Sequence, residues 1–275
     1  MNTYDLIGFD MDGTLLDSRK SILPSTVEAI GRAVAAGKTV ILSTGRSINE
    51  LEEFAGQLAQ VRYYVCESGA LIYDSKERKI LHSETLAQDV VMRILDVASA
   101  EDTMPYIISS GESFADRRHI ADLAHFHMGI YQDMMDRVVC QMDDMIAQYR
   151  KNPFPMEKLN LFSASEEIRE RIYENVKSLP LAFAYAEETS LEMTPLHISK
   201  ASGLRWLCGY LGIPLERTVI VGDADNDAEA MEAAGLSVAM GNALPHIKEM
   251  CGAVVSDNDS GGCAEAVDRY LLGKA

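Results

Sequence analysis

Two carboxylates stand two residues apart in Phe9-Asp10-Met11-Asp12-Gly13-Thr14, directly after the apolar run Leu6-Ile7-Gly8-Phe9. Such a run suits a strand buried in a parallel sheet, and stability gives no reason to end it in two acids. If the chain stays extended through Met11, Asp10 and Asp12 point to one side, because side chains alternate along a strand. Like charges held that close repel, so a proton neutralises one or the pair holds a cation. A solvated Asp-Gly turn with a spare acid is the plain alternative. A second acidic cluster lies in Val221-Gly222-Asp223-Ala224-Asp225-Asn226-Asp227. That density again demands a cation or strong hydrogen-bond donors, and its spacing differs from a Ca2+ loop. Helix capping would account for one of these acids, not for all of them.

Two further stretches carry groups suited to an anion. In Ser43-Thr44-Gly45-Arg46, after the apolar Thr39-Val40-Ile41-Leu42, a hydroxyl precedes a glycine whose N–H can approach a phosphate oxygen. The next helix start adds its positive end, although the same residues also read as an N-cap and turn. In His197-Ile198-Ser199-Lys200 the lysine stands near a predicted helix start. Cations are favoured at helix C-termini, so this placement suggests an anionic partner, against the commoner exposed lysine. Together the four stretches suggest one reaction. The hard carboxylate oxygens of Asp10 and Asp223 suit Mg2+, which commonly needs one or two protein carboxylates plus water and phosphate. Asp10 is placed to attack phosphorus and give an aspartyl-phosphate. Asp12 would protonate the leaving oxygen and then activate water, given surroundings that hold its pKa up. Thr44 and the Gly45 N–H would hold the phosphoryl group in transfer.

These residues need a sheet to gather them, and the first eighty residues alternate strand and helix signals. Asp5 to Phe9 reads as a strand, Ser25 to Ala36 as a helix ended by Gly37, and Thr39 to Leu42 as the next strand. A helix over 48–58, a strand at Tyr63 to Cys66 and a hairpin beginning at Ala70 to Tyr73 follow. From His82 the texture changes. A helix over 86–100, strands at Tyr106 to Ile108 and Leu159 to Phe162, a helix over 165–178 and strands near 181–185 and 190–193 form a second group. Between them, Met128 to Met156 is rich in methionine and acid without a clear period. Alternation then returns, with a helix from Lys200 to Leu211, a strand at Thr218 to Val221, a helix from Ala228 to Ala234, and strands at 236–240 and 253–255. This predicts an α/β protein: a Rossmann-like parallel-sheet core of 1–82 plus 190–275, with a second α/β unit, 83–189, inserted into it.

The 275 residues are 47% hydrophobic and 24% charged, ordinary for a globular chain with ample core. Five scattered cysteines, none in a Cys-x-x-Cys, argue against a disulfide framework or zinc site and fit a cytoplasmic protein. No run approaches a membrane span and no signal-peptide pattern opens the sequence. The formal net charge of −17 disfavours nucleic acid and anionic membranes as partners.

In the order and spacing of these four stretches the sequence resembles the haloacid dehalogenase-like phosphatase superfamily, and within it the Cof-type hydrolases. Smaller matches lie at Glu67-Ser68-Gly69-Ala70 and Met240-Gly241-Asn242-Ala243, and the likeness covers nearly the whole chain. Many relatives carry Asn where this chain has Ser68. The resemblance implies that Asp10 is the nucleophile and Asp12 the general acid/base. It implies Mg2+ on the Asp10 carboxylate, the Asp12 backbone carbonyl and Asp223, with Asp227 supporting the metal shell. Met11, Thr44, Gly45, Lys200 and Asn226 would hold phosphate, and 83–189 would be a cap that closes over the site and selects substrate.

The expected activity is a Mg2+-dependent phosphatase of a small phosphorylated metabolite, sugar phosphates first, working as a monomer or homodimer. A phosphosugar mutase of the same superfamily and a non-catalytic phosphometabolite-binding protein are the alternatives. A dinucleotide-dependent oxidoreductase is disfavoured, since no Gly-x-Gly-x-x-Gly follows the first strand. Arg117-Arg118-His119 in the presumed cap offers cations to a second anionic group or is a solvated turn. His125 and His127 lack a third ligand and read as ordinary histidines.

Overall fold

The structure is a computed structural model and describes residues 4–185 and 187–274. Fourteen strands are present among the described residues: β1 (Leu6–Phe9), β2 (Thr39–Ser43), β3 (Tyr63–Cys66), β4 (Leu71–Asp74), β5 (Lys79–Ser83), β6 (Thr103–Ser109), β7 (Glu112–Asp116), β8 (Cys140–Met142), β9 (Lys158–Ser163), β10 (Leu181–Ala184), β11 (Ser190–Pro195), β12 (Thr218–Gly222), β13 (Leu236–Ala239) and β14 (Ala253–Val254). They form an eight-stranded sheet in the order β14-β13-β12-β1-β2-β3-β4-β5 and a six-stranded sheet in the order β10-β11-β9-β6-β7-β8.

In the larger sheet every pairing from β14 through β3 is parallel, and β4 returns antiparallel to β3. Parallel strands are covered on both faces, which is why β1 (Leu-Ile-Gly-Phe) and most of β2 and β12 are continuous buried runs. The chain leaves β1 to form β2 on one side and later returns to form β12 on the other. Ligands of open α/β sheets bind beyond the carboxyl ends of strands at such a switch of direction. Asp10, Thr44 and Asp223 follow these three strands directly.

The six-stranded sheet packs one face against the helices Gln88–Ala98 and Glu166–Val176, through Ile107, Leu159, Leu161, Leu191 and Met193. Part of the other face, Met104, Tyr106, Ile108, Ala115 and Phe162, packs with Ile120, Leu123, Phe126 and Met135.

The chain divides into two compact units, 1–45 with 52–82 and 199–275, and 46–51 with 83–198. This corrects the expected boundary at 189. Strand β11 is antiparallel to both β9 and β10, so Ser190 to Pro195 belongs to the six-stranded sheet. Residues 46–51 join the same unit by buried hydrogen bonds: Glu50 accepts from the Ser47 N–H at 2.8 Å and the Tyr106 hydroxyl at 2.5 Å, and Asn49 donates to the Val138 carbonyl at 2.8 Å.

The predicted helix over 48–58 is instead a short 3-10 segment, Asn49–Phe54, followed by turns. Its first residues are held by those tertiary hydrogen bonds, and Gly56 weakens helical continuation. The Met-rich stretch resolves into two short helices, Gln132–Val138 and Met145–Lys151, flanking β8. No helix among the described residues is long and apolar enough to cross a membrane.

Candidate active site

Asp10 continues β1 in extended conformation (φ −68°, ψ 166°) and is 6% exposed. Its N–H still donates to the Val221 carbonyl of β12, at 3.2 Å. The chain then closes a wide turn over Met11–Leu15, in which the Leu15 N–H bonds Asp10 O and the Leu16 N–H bonds Met11 O. The strand therefore ends before Met11, and the two acids differ in exposure. The Asp12 carboxylate is 40% exposed and bonded to Lys20 Nζ at 2.8 Å. The pair is thus one buried acid and one partly solvated acid, and the expected repulsion survives as a small contribution of Asp12 to the raised pKa of Asp10.

Lys200 opens the helix Lys200–Leu211, capped by Ser199 and closed by Gly212 at φ 68°. Its ammonium is 2.6 Å from Asp10 Oδ1 and 2.7 Å from Asp227 Oδ1, and all three side chains are buried. The anionic partner implied by a lysine at a helix start is thus a pair of carboxylates. Gly69 (φ +102°) makes this docking possible, since a Cβ there would collide with the Ser199 carbonyl. Ser68 beside it is also left-handed, at φ 58°, a conformation that Asn adopts more readily than Ser.

Asp227 sits in the first turn of the helix Asp225–Ala233, and its Oδ2 accepts the Asp223 and Ala224 N–H groups. One carboxylate therefore both caps the helix and holds the lysine. Asp225 points out to His246. Asp223, half-buried, accepts from the Thr14 hydroxyl at 2.7 Å.

Asp10, Asp223 and Asp227 offer carboxylate oxygens within 4.8 Å of one another. Three carboxylates face one ammonium, and the electrostatics register the imbalance. Burial pushes Asp10 up to about 8 against the opposing pull of Lys200, with Asp227 adding to the rise. Burial likewise pushes Asp223 up to about 6, only partly offset by Thr14. A buried set of hard oxygens with excess negative charge fits a divalent cation.

Thr44 is buried behind β2, with its N–H bonded to Val65 O and its carbonyl to the Ser68 N–H. Gly45 beside it is half-buried, the Met11 side chain is fully buried, and Asn226 is exposed. Only the backbone of Met11 is therefore available to a ligand. The sequence reading gave no role to Thr14, Asn242, Asn258 or Cys263. The Asn242 amide donates to the Gly13 carbonyl at 2.7 Å, Asn258 to the Leu16 carbonyl at 2.8 Å, and the Cys263 thiol to the Thr14 carbonyl at 3.3 Å. A C-terminal segment thereby fixes the turn that follows Asp10. The Asn242 match was visible in the sequence, but its contact spans 229 residues.

Gly13 (φ +78°) packs so closely on Asp223 that a Cβ would strike its carboxylate. Gly13→Ala is expected to lower turnover at least about tenfold by displacing Asp223, with a Tm loss of a few degrees; unchanged kinetics would show that Asp223 placement is uncritical.

Of the candidates in the second unit, Arg117 pairs with Asp143 at 3.2 Å and Arg118 with Asp116 at 3.1 Å. Burial lowers the His119 pKa, and its ring packs edge-on against Phe126. His125 bonds Asp102 and His127 the Ala164 carbonyl. None of the three histidines belongs to a metal-ligand group among the described residues.

The model of the haloacid dehalogenase-like hydrolase family matches residues 7–267. Phosphatase YwpJ of Bacillus subtilis (strain 168) is 28% identical, covering 97% of this chain and 99% of its own length. The 5-amino-6-(5-phospho-D-ribitylamino)uracil phosphatase YcsE of the same organism is 27% identical, covering 97% and 96%. A solved haloacid dehalogenase-like hydrolase from B. subtilis superposes with a TM-score of 0.85 at 26% identity, over 97% of this chain and 100% of that one. The α/β sheet, the acids at its carboxyl edge and these matches converge: the chain belongs to the haloacid dehalogenase-like hydrolase family, in its Cof-type branch, and is a phosphoric monoester hydrolase.

Proposed function

We propose that the protein is a Mg2+-dependent phosphatase of small phosphate monoesters, sugar phosphates first, working through an aspartyl-phosphate on Asp10. The observation that carries this reading is the buried Asp10 carboxylate, held by Lys200 at the end of β1 among Asp223 and Asp227. Asp10 Oδ attacks phosphorus, the bond from phosphorus to the ester oxygen breaks, and the leaving oxygen takes a proton from Asp12. Asp12 then takes a proton from water, whose oxygen attacks phosphorus and releases phosphate from Asp10. The Asp12 side chain lies partly in solvent on Lys20, which supports a role that needs exchange with water.

Lys200, Thr44 and the N–H groups of Met11 and Gly45 would hold the phosphoryl oxygens, with Asn226 at the rim. The Asp10 and Asp223 carboxylates and the Asp12 carbonyl would hold Mg2+, with Asp227 fixing Lys200 and the Asp223 backbone. When bound, the ion supplies neutralisation of the charge on the transferring group. The metabolite-sized substrate fits the names of the relatives, and a chain of net charge −17 has little attraction for nucleic acid.

The test is phosphate release from p-nitrophenyl phosphate and a sugar-phosphate panel. Stripping with EDTA is expected to cut turnover at least about 100-fold, restored by Mg2+. Mg2+ at about 100 times its Kd should also stabilise the wild type by about 2.7 kcal/mol and Asp223→Asn by much less. Turnover undiminished by EDTA would sink the metal assignment.

A further inference from the structure

Gly13 gives the loop that carries Asp12 no side chain by which to anchor it. Asp12 (φ −79°, ψ 123°) and Gly13 (φ 78°, ψ −6°) are the two central residues of a type II turn, which demands a positive φ at the second. A larger residue could have tied the turn down, but the Asp223 carboxylate fills the space its Cβ would need.

The anchor comes from the far end of the chain. Asn242 Nδ2 donates to the Gly13 carbonyl at 2.7 Å, and the Asn258 N–H donates to Asn242 Oδ1 at 3.0 Å. Both ends of one amide are used, so its orientation is fixed with the donor toward Gly13. Two residues on, the Leu244 N–H donates to the Asp223 carbonyl at 3.0 Å. Residues 242–244 therefore hold the loop of Asp12 and the loop of Asp223 at once, all within the first compact unit. Asn242 is exposed, and a neutral hydrogen bond open to solvent adds little to stability. What the bond sets is position.

We propose that Asn242 is a positioning residue for Asp12. By pinning the Gly13 carbonyl it fixes the neighbouring Asp12 backbone, and hence where the Asp12 carboxylate stands when it gives and takes the proton. The inference rests on the phosphatase reading and adds to it a residue outside the reacting set.

Asp12 serves twice in that reading, and the two duties separate by leaving group. p-Nitrophenolate departs as a stable anion with little help from an acid, whereas an alkyl oxygen needs the proton. Water attacking the phosphoryl group on Asp10 needs the base whatever ester supplied it. Misplacing Asp12 therefore slows hydrolysis of the aspartyl-phosphate with every substrate, but spares its formation from p-nitrophenyl phosphate.

The test uses p-nitrophenyl phosphate at saturating Mg2+ with Asn242→Ala, the isosteric Asn242→Asp, and Asp12→Asn. Asn242→Asp keeps the acceptor for Asn258 and turns the donor into an acceptor facing the Gly13 carbonyl. In both Asn242 variants kcat is expected to fall about tenfold or more while kcat/KM stays within about threefold of wild type. With 32P-labelled substrate and an acid quench, the fraction of protein carrying label at steady state should rise. Tm should change by about 3 °C or less. If kcat and kcat/KM fall in proportion, or neither moves, the proposal is overturned, since a structural loss scales the active fraction and does not split the two constants. Should Asn242→Asp fail to fold, Asn242→Ala decides by the same split. Asp12→Asn is the reference. If it loses no kcat, or if the wild type is inert, the phosphatase reading of Asp12 fails; if it loses kcat and the Asn242 variants do not, only the role of Asn242 falls.

Discussion

Asp10→Asn is expected to abolish phosphate release, by at least about 10,000-fold, while the metal-free protein melts at the same temperature or a few degrees higher. The activity loss follows from chemistry. An amide oxygen is too weak a nucleophile to displace the ester oxygen, and removing the attacking group forfeits the covalent route entirely. The stability gain follows from the site's charge. Asp10 is 6% exposed, shares its single ammonium with Asp227, and is pushed up to about 8 by burial despite that ammonium. At neutral pH the folded state must either take up a proton at Asp10 or bury its charge, and both cost the fold free energy that Asn does not, the usual opposition between stability and function at an active site. A rapid-quench experiment with 32P-labelled substrate should trap label on the wild type and none on the variant. Residual turnover above about 1% of wild type would remove Asp10 as nucleophile, whatever the melting temperature.

That Asp10 was readable from sequence reflects the physics of parallel sheets. A strand covered on both faces must be a continuous apolar run, so β1, β2 and β12 stand out, and the polar residues that end them stand out with them. The helix Lys200–Leu211 was equally legible, with Ser199 to start it and Gly212 to stop it. What escaped depends on contacts between distant parts of the chain. The separation of Asp12 from Asp10 is made by a turn through Gly13 and by Lys20, neither of which an alternating-strand argument contains. Strand β7, Glu-Ser-Phe-Ala-Asp, has too little apolar content to announce itself and is specified by β6 beside it. Residues 46–51 follow Ser43-Thr44-Gly45 without a break in texture, yet Tyr106, Gly111 and Val138 tie them to the second unit. Strand β9 does leave a signal, the alternation Lys158-Leu159-Asn160-Leu161, but the Glu192 that Lys158 and Asn160 meet lies 32 residues beyond Asn160.

Lys200→Met is expected to lower Tm in EDTA by about 6–20 °C, corresponding to about 3–5 kcal/mol for breaking a buried ion pair from one side. The variant keeps side-chain volume, so little of the loss is packing. It strands Asp10 Oδ1 and Asp227 Oδ1, each of which has this ammonium as its bonded cation at 2.6 and 2.7 Å. The two losses differ in kind. Asp227 Oδ2 still accepts two backbone N–H groups, whereas Asp10 is held almost wholly by the lysine and by burial. Adding Asp10→Asn to Lys200→Met should therefore restore a good part of the lost stability, so the double variant melts above Lys200→Met. Activity should not return, since both the proposed nucleophile and the proposed phosphate-binding cation are gone. This non-additivity separates a true charge cluster from three side chains that happen to pack together. If Lys200→Met costs less than about 2 °C, or if the double variant melts lower still, the lysine is not the counter-ion that holds Asp10 ready, and the imbalance of three carboxylates against one ammonium is not what makes this a cation site.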